Sequence, residues 1–260
     1  MNPPSCGEIE VIESKVTYCR NLYNKTRIFR DRVEGGLALS ELLKRLSVGV
    51  DLVVGLAAGG IPVAVAVSCT LGVKLDVVAV KKITFPWTTE AGYGAVDPDG
   101  RYIYDKHIAH EYLGLTHRDV EQQAAELAEY VRRRTLRLRG SLDYSSFSGA
   151  RVLIVDDGIA TGYTMAAALE FARRRGAAAV YAAAPTASRS GATMVSRHSD
   201  GVFVPNLRDE ALYAVADAYI EWHDVSDEEA LEWLRRGSTC DLGDGNQRTV
   251  GRRASEHLWV

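Results

Sequence analysis

Val152–Thr164 reads VLIVDDGIATGYT. Four apolar residues run into two adjacent carboxylates, Asp156 and Asp157, then a turn rich in Gly and Thr, then the helix-forming stretch MAAALEFARRR. A continuous apolar run of this length predicts a strand buried on both faces, followed by a loop and a helix N-terminus. The first N–H groups of a helix lack internal partners, and the helix dipole favours negative charge there, so this turn suits a phosphate. Two acids directly before a phosphate cradle would repel it unless they address another part of the same ligand. A ribose 5-phosphate meets that demand, because its hydroxyls lie a sugar's width from its phosphate.

Outward from this stretch, strand and helix signals alternate. Leu52–Leu56 and Leu75–Val80 read as strands, and Ile61–Leu71 reads as a helix with Pro62 in its first turn. Ala178–Ala184 and Gly201–Val204 read as further strands. Helices are expected over Asp31–Leu46, Asp105–Leu113, Thr116–Leu138, Thr164–Arg175 and Ser188–Arg197, with a C-terminal one from Val225 to near Arg236. Thr116 and Asp119 have the spacing of a capping box. Turn residues at Asp97-Pro98-Asp99-Gly100 place a hairpin or flexible excursion in Thr84–Tyr104. The fold class is therefore α/β, a mostly parallel twisted sheet flanked by helices, with ligands at the carboxyl ends of the strands. Asp156-Asp157, Gly59-Gly60 and Lys81-Lys82 all fall at such ends.

The 260-residue chain can bury one sizeable core, and a net charge of −3 argues against a general nucleic-acid binder. The clusters Arg132–Arg134 and Arg173–Arg175 fall late in helices, where solvated cations suit the dipole. The four cysteines, Cys6, Cys19, Cys69 and Cys240, are scattered. A reduced, cytoplasmic thiol set is expected, with a Cys6–Cys19 disulfide as the alternative. The N-terminus lacks the apolar core of a signal peptide. Leu52–Val73 is uncharged and long enough to span a bilayer, but Gly59, Gly60 and Pro62 interrupt it, so strand, loop and helix is the better reading.

VLIVDDGIATGYT resembles the phosphoribosyl-pyrophosphate (PRPP) signature of type I phosphoribosyltransferases. The likeness extends over about residues 28–235. Phe29-Arg30-Asp31-Arg32 is similar to the family's entry segment, and Gly55–Pro62 to its pyrophosphate loop. Lys81-Lys82, Glu90 and Gly94-Ala95-Val96 are similar to its mobile loop and hairpin. The resemblance implies a Rossmann-like phosphoribosyltransferase fold with a small hood, and transfer of the 5-phosphoribosyl group of PRPP to an unidentified acceptor, a nucleobase among the candidates. It implies that Asp156 and Asp157 contact the ribose hydroxyls. Gly158, Ala160, Thr161, Gly162, Tyr163 and Thr164 would cradle the 5-phosphate. Ala57, Ala58, Gly59 and Gly60, with Lys81 and Lys82, would face the pyrophosphate.

Two departures from the family stand out. Many relatives carry a small residue where this chain has Tyr163, and close relatives often carry Arg where it has Ala58. The hypoxanthine–guanine enzymes carry Asp where it has Ala160. Magnesium is implied through PRPP, with no protein residue as an evident metal ligand. His107, His110 and Glu111 read as a surface helix face, and Trp87 reads as packing or as a cover over the site. The expected partners are small molecules, PRPP and an acceptor, with no nucleic acid and no membrane, and homodimer formation is left open. Residues 1–27 are read as an N-terminal arm or edge strand and residues 237–260 as a loose tail. The alternative function is a non-catalytic PRPP- or nucleotide-binding regulator on the same fold.

Overall fold

A computed structural model describes residues 3–85, 87–88, 92–210 and 212–243. The chain opens with a hairpin, β1 (Ile9–Ile12) and β2 (Val16–Cys19), and the helix α1 (Arg32–Arg45). Next come β3 (Leu52–Leu56), α2 (Gly60–Leu71) and β4 (Lys74–Val78). An excursion follows: β5 (Lys81–Thr84), β6 (Gly92–Val96), β7 (Tyr102–Tyr104), a π-helical turn at His107–Tyr112 and the long α3 (His117–Arg139). The second half contains β8 (Arg151–Val155), α4 (Tyr163–Arg174), β9 (Ala179–Ala183), β10 (Thr186–Ser188) and α5 (Arg189–Ser196). It ends with β11 (Gly201–Val204), β12 (Asn206–Arg208) and α6 (Asp227–Thr239).

The main sheet has the order β1-β2-β11-β9-β8-β3-β4, parallel throughout except for the β1–β2 edge hairpin. Both faces are covered. Leu52, Val54 and Leu56 belong to one apolar cluster with Val152, Ile154 and Phe171, while Val53, Leu153 and Val155 join Ile61, Val63 and Leu75 on the other face. Burial on both sides is why these strands read as unbroken apolar runs rather than alternating ones. The chain leaves β3 toward β4 and leaves β8 toward β9, in opposite directions across the sheet. The crevice at the carboxyl ends of β3 and β8 is therefore the topological switch point, where α/β sheets bind ligands.

Two accessory layers flank this crevice. β5, β6 and β7 form an antiparallel sheet, the excursion anticipated in Thr84–Tyr104, and it packs on α4. β10 and β12 form a parallel pair beside the turn Val215–Ala218. The capping box of Thr116 and Asp119 closes the start of α3. Leu52–Val73 resolves into β3 and α2, and among the described residues no helix is long and apolar enough to cross a membrane.

The cysteines differ from the reduced set expected. Cys6 is bonded to Cys19 and Cys69 to Cys240, with Cα–Cα separations of 5.2 and 5.4 Å, inside the range a disulfide requires. The sequence separation of 171 residues hid the second pair. α6 also runs three residues beyond Arg236, and Cys240 ties its end to α2. Residues 244–260 of the expected tail lie outside the described residues.

Candidate active site

β3 and β8 are neighbours in register, with Gly55 opposite Val155, so the loops that follow them emerge side by side. The β8 loop carries Asp156 and Asp157 and turns through Gly162 into α4. Gly162 has φ +89°, a conformation that favours glycine, and an added Cβ would lie 2.9 Å from the Gly191 carbonyl oxygen. The β3 loop carries Ala57–Gly60, and its Ala57–Ala58 peptide is cis. Gly60 packs so closely on the acid loop that a Cβ would lie 2.6 Å from the Val155 carbonyl oxygen and 2.8 Å from Asp156 Cα. Gly60 is thus demanded by the approach of the two loops, and Gly162 by its positive φ and the close approach of α5.

A cleft of about 260 Å³ opens between the loops, lined by Ala57, Gly59, Lys81, Lys82, Asp156, Asp157 and Thr164. A smaller recess of about 100 Å³ adjoins it, lined by Gly158, Ala160, Thr161, Gly162, Thr164 and Val215, with Lys82 and both aspartates shared. Ala58 lies elsewhere, packed against the apolar cluster around Ile61. Gly60 supports the acid loop from behind. The Tyr163 ring turns away from both cavities: its hydroxyl donates to Asp105 Oδ2 at 3.1 Å, and burial and the Asp105 charge push its pKa to about 12. The bulky Tyr163 side chain is thus accommodated outside both cavities.

The aspartates are electrostatically strained. Burial, and next the charge of Asp157, raise the Asp156 pKa well above the ordinary carboxylate range. Burial also raises Asp157, but Arg32 opposes it, with Nε donating to Asp157 Oδ2 at 3.0 Å. Lys82 contributes positive charge to both acids. Arg32 is itself buried, donates to the His223 carbonyl at 2.9 Å and sits 3.9 Å above the Trp222 ring. Tyr219 donates to the Asp157 carbonyl at 2.6 Å and packs at a tilt against Phe29 and Trp222 behind the acid loop.

The family model of the phosphoribosyl transferase domain matches residues 36–215, a span that includes both loops. The chain belongs to the phosphoribosyl transferase domain family. A Mycobacterium tuberculosis protein, named provisionally as a phosphoribosyl transferase, is 34% identical over 212 residues, which is 81% of this chain and 47% of the relative. The chain spans about half the length of the curated relatives it matches. A crystal structure from Thermus thermophilus is 32% identical with a TM-score of 0.63, covering 79% of this chain and 98% of that one.

Three features of this phosphoribosyl transferase domain escape the sequence reading. Sequence alone places Arg32 in the entry segment without a partner. Its signal is a cation in the first turn of α1, where the dipole is unfavourable and a strong counter-charge is needed. Arg134 reads as solvated with Arg132 and Arg133, but it faces the cleft with its side chain 15% exposed. Its phase is legible, since Val131, Thr135 and Leu138 are the buried face of α3 and residue 134 lies beside them. The Arg173–Arg175 cluster is likewise more than a solvated helix end, because the three side chains pair with Asp200, Asp97 and Asp99. His107 pairs with Glu111 at the surface, and Trp87 stacks on Phe85 away from the aspartates. Glu90 lies outside the described residues.

Proposed function

We propose that this domain transfers the 5-phosphoribosyl group of PRPP to an acceptor with release of pyrophosphate. The observation that carries the reading is the convergence of three chain segments on one cleft: the Asp156–Thr164 loop, the Ala57–Gly60 loop and Lys81-Lys82. In this reading the 5-phosphate sits in the recess at the start of α4, on backbone N–H groups and the hydroxyls of Thr161 and Thr164. The pyrophosphate lies toward Ala57, Gly59 and the two lysines. The ribose spans the gap, its hydroxyls against Asp156 and Asp157.

The bond from C1 to pyrophosphate breaks as the acceptor's electron pair forms a new bond at C1, and the acceptor releases a proton. Positive charge grows on the ring meanwhile. Asp156 and Asp157 stabilise that charge, and their interaction strengthens in the transition state, which is what lowers a barrier. Arg32 orients Asp157 from behind. Among the described residues no group of three metal-ligating side chains occurs. Two carboxylates beside Lys82 fit a magnesium ion that arrives on the pyrophosphate oxygens rather than one held in a protein cage. That ion would neutralise charge on the leaving group.

A second reading, a non-catalytic regulator that binds PRPP or a nucleotide, draws support from Ala58, which offers no charge to the pyrophosphate. Pyrophosphate release from PRPP and magnesium, assayed over a panel of nucleobases, separates the two. Turnover with at least one acceptor supports the transferase. Binding of PRPP without turnover on the panel favours the regulator, and no binding of PRPP refutes both.

A further inference from the structure

The Ala57–Gly60 loop has no cationic side chain, yet the ligand assigned to it carries several negative charges. α3 reaches the same place from outside. Arg134 lines the cleft with Lys81 and Lys82, and its NH1 lies 3.5 Å from the Ala57 carbonyl oxygen, a long contact for a strong donor. The other edge of the guanidinium is committed: Nε and NH2 both donate to Asp227 Oδ1, at 2.8 and 2.7 Å. One helical turn earlier Tyr130 faces Lys81, whose Nζ is 5.3 Å from the ring centroid, so α3 and β5 approach each other here.

Resting on the functional reading above, we infer that Arg134 binds the leaving pyrophosphate, supplying from α3 the charge that the β3 loop lacks. A guanidinium is permanently charged and its forked N–H groups match phosphate oxygens. Asp227 holds one edge and thereby aims the other at the cleft. The competing role is that of a strut, in which the Arg134–Asp227 pair merely joins α3 to α6. A strut loses its function equally whichever partner is changed. A ligand-binding arginine does not.

Magnesium pyrophosphate and ribose 5-phosphate are titrated separately by calorimetry into the full chain, Arg134→Gln and Asp227→Asn, with melting temperatures measured alongside. Arg134→Gln is expected to weaken pyrophosphate at least tenfold and leave ribose 5-phosphate within twofold. Asp227→Asn removes the charge of the ion pair but keeps the guanidinium and an Oδ1 acceptor to aim it, so its pyrophosphate affinity stays within threefold while its melting temperature falls. Should Arg134→Gln fail to fold, Arg134→Lys, which keeps the charge but not the fork, is expected to lose at least threefold toward pyrophosphate alone. Wild-type pyrophosphate affinity in the folded Arg134 variant, or equal losses in Arg134→Gln and Asp227→Asn, overturns the assignment. A wild-type chain that binds ribose 5-phosphate but not pyrophosphate overturns it too and spares the sugar-phosphate site, whereas one that binds neither overturns the functional reading as well.

Discussion

Replacing Arg32 with Met removes the counter-charge of Asp157 while keeping an apolar stem of similar length. Arg32 and Asp157 are nearly dry, with side chains 7% and 14% exposed, and Nε and Oδ2 are 3.0 Å apart. Stripping one partner from a buried pair typically destabilises by about 3–5 kcal/mol. The cleft opens to water and Lys82 remains, so about 3 kcal/mol is expected at neutral pH. For a domain of this size that corresponds to a fall in melting temperature of about 6–12 °C. The deficit is pH-dependent, with a defined sign. Asp157 is already raised above its unfolded value by burial, and loss of Arg32 raises it further. The added penalty is therefore absent below the unfolded carboxylate pKa and grows as pH rises through the folded one. At pH 4 only the contacts with Trp222 and the His223 carbonyl are lost, about 1–2 kcal/mol together. Urea denaturation of both proteins at pH 4 and 7.5 measures the difference. A deficit that is the same at both pH values would refute the claim that Arg32 compensates a buried carboxylate.

Other outcomes follow from particular contacts. Tyr163→Phe loses the 3.1 Å bond to Asp105 and should destabilise by about 0.5–1.5 kcal/mol; ribose 5-phosphate affinity by calorimetry should not change, and a change would place the ring in the cradle. Gly60→Ala forces a methyl against the Val155 carbonyl and should weaken ribose 5-phosphate at least tenfold by pushing the two loops apart; wild-type affinity in a folded variant would contradict that packing. Thiol titration of denatured, unreduced protein should find none of the four cysteines free. Reduction should destabilise the α6 end, since closing a loop of this length contributes roughly 5 kcal/mol in the chain-entropy model, and four titratable thiols would contradict the pairing.

The central strand, both glycine-bearing loops and the paired acids are legible in the sequence because each is a local pattern: an apolar run, a turn, a helix start. The capping box of α3 is legible for the same reason. What stays hidden is contact between distant segments. Arg32 reaches Asp157 across 125 residues, and Arg134 reaches Asp227 across 93. A run of arginines looks alike in sequence whether its members face solvent, an aspartate or a cleft, and only the helical phase of Arg134 separates it from Arg132 and Arg133. Cys69 and Cys240 meet only because α6 packs on α2. Tyr163 departs from its relatives' pattern without disturbing the loop, because its ring turns out of the cleft and has a polar partner at Asp105.

Docking of a sugar phosphate where β8 passes into α4 is tested most directly by calorimetric titration of ribose 5-phosphate into the wild type and Thr161→Ala. Saturable one-to-one binding is expected, weakening by about 1.5–3 kcal/mol when the hydroxyl is removed. No binding to the wild type, or equal affinity in the two proteins, would contradict it.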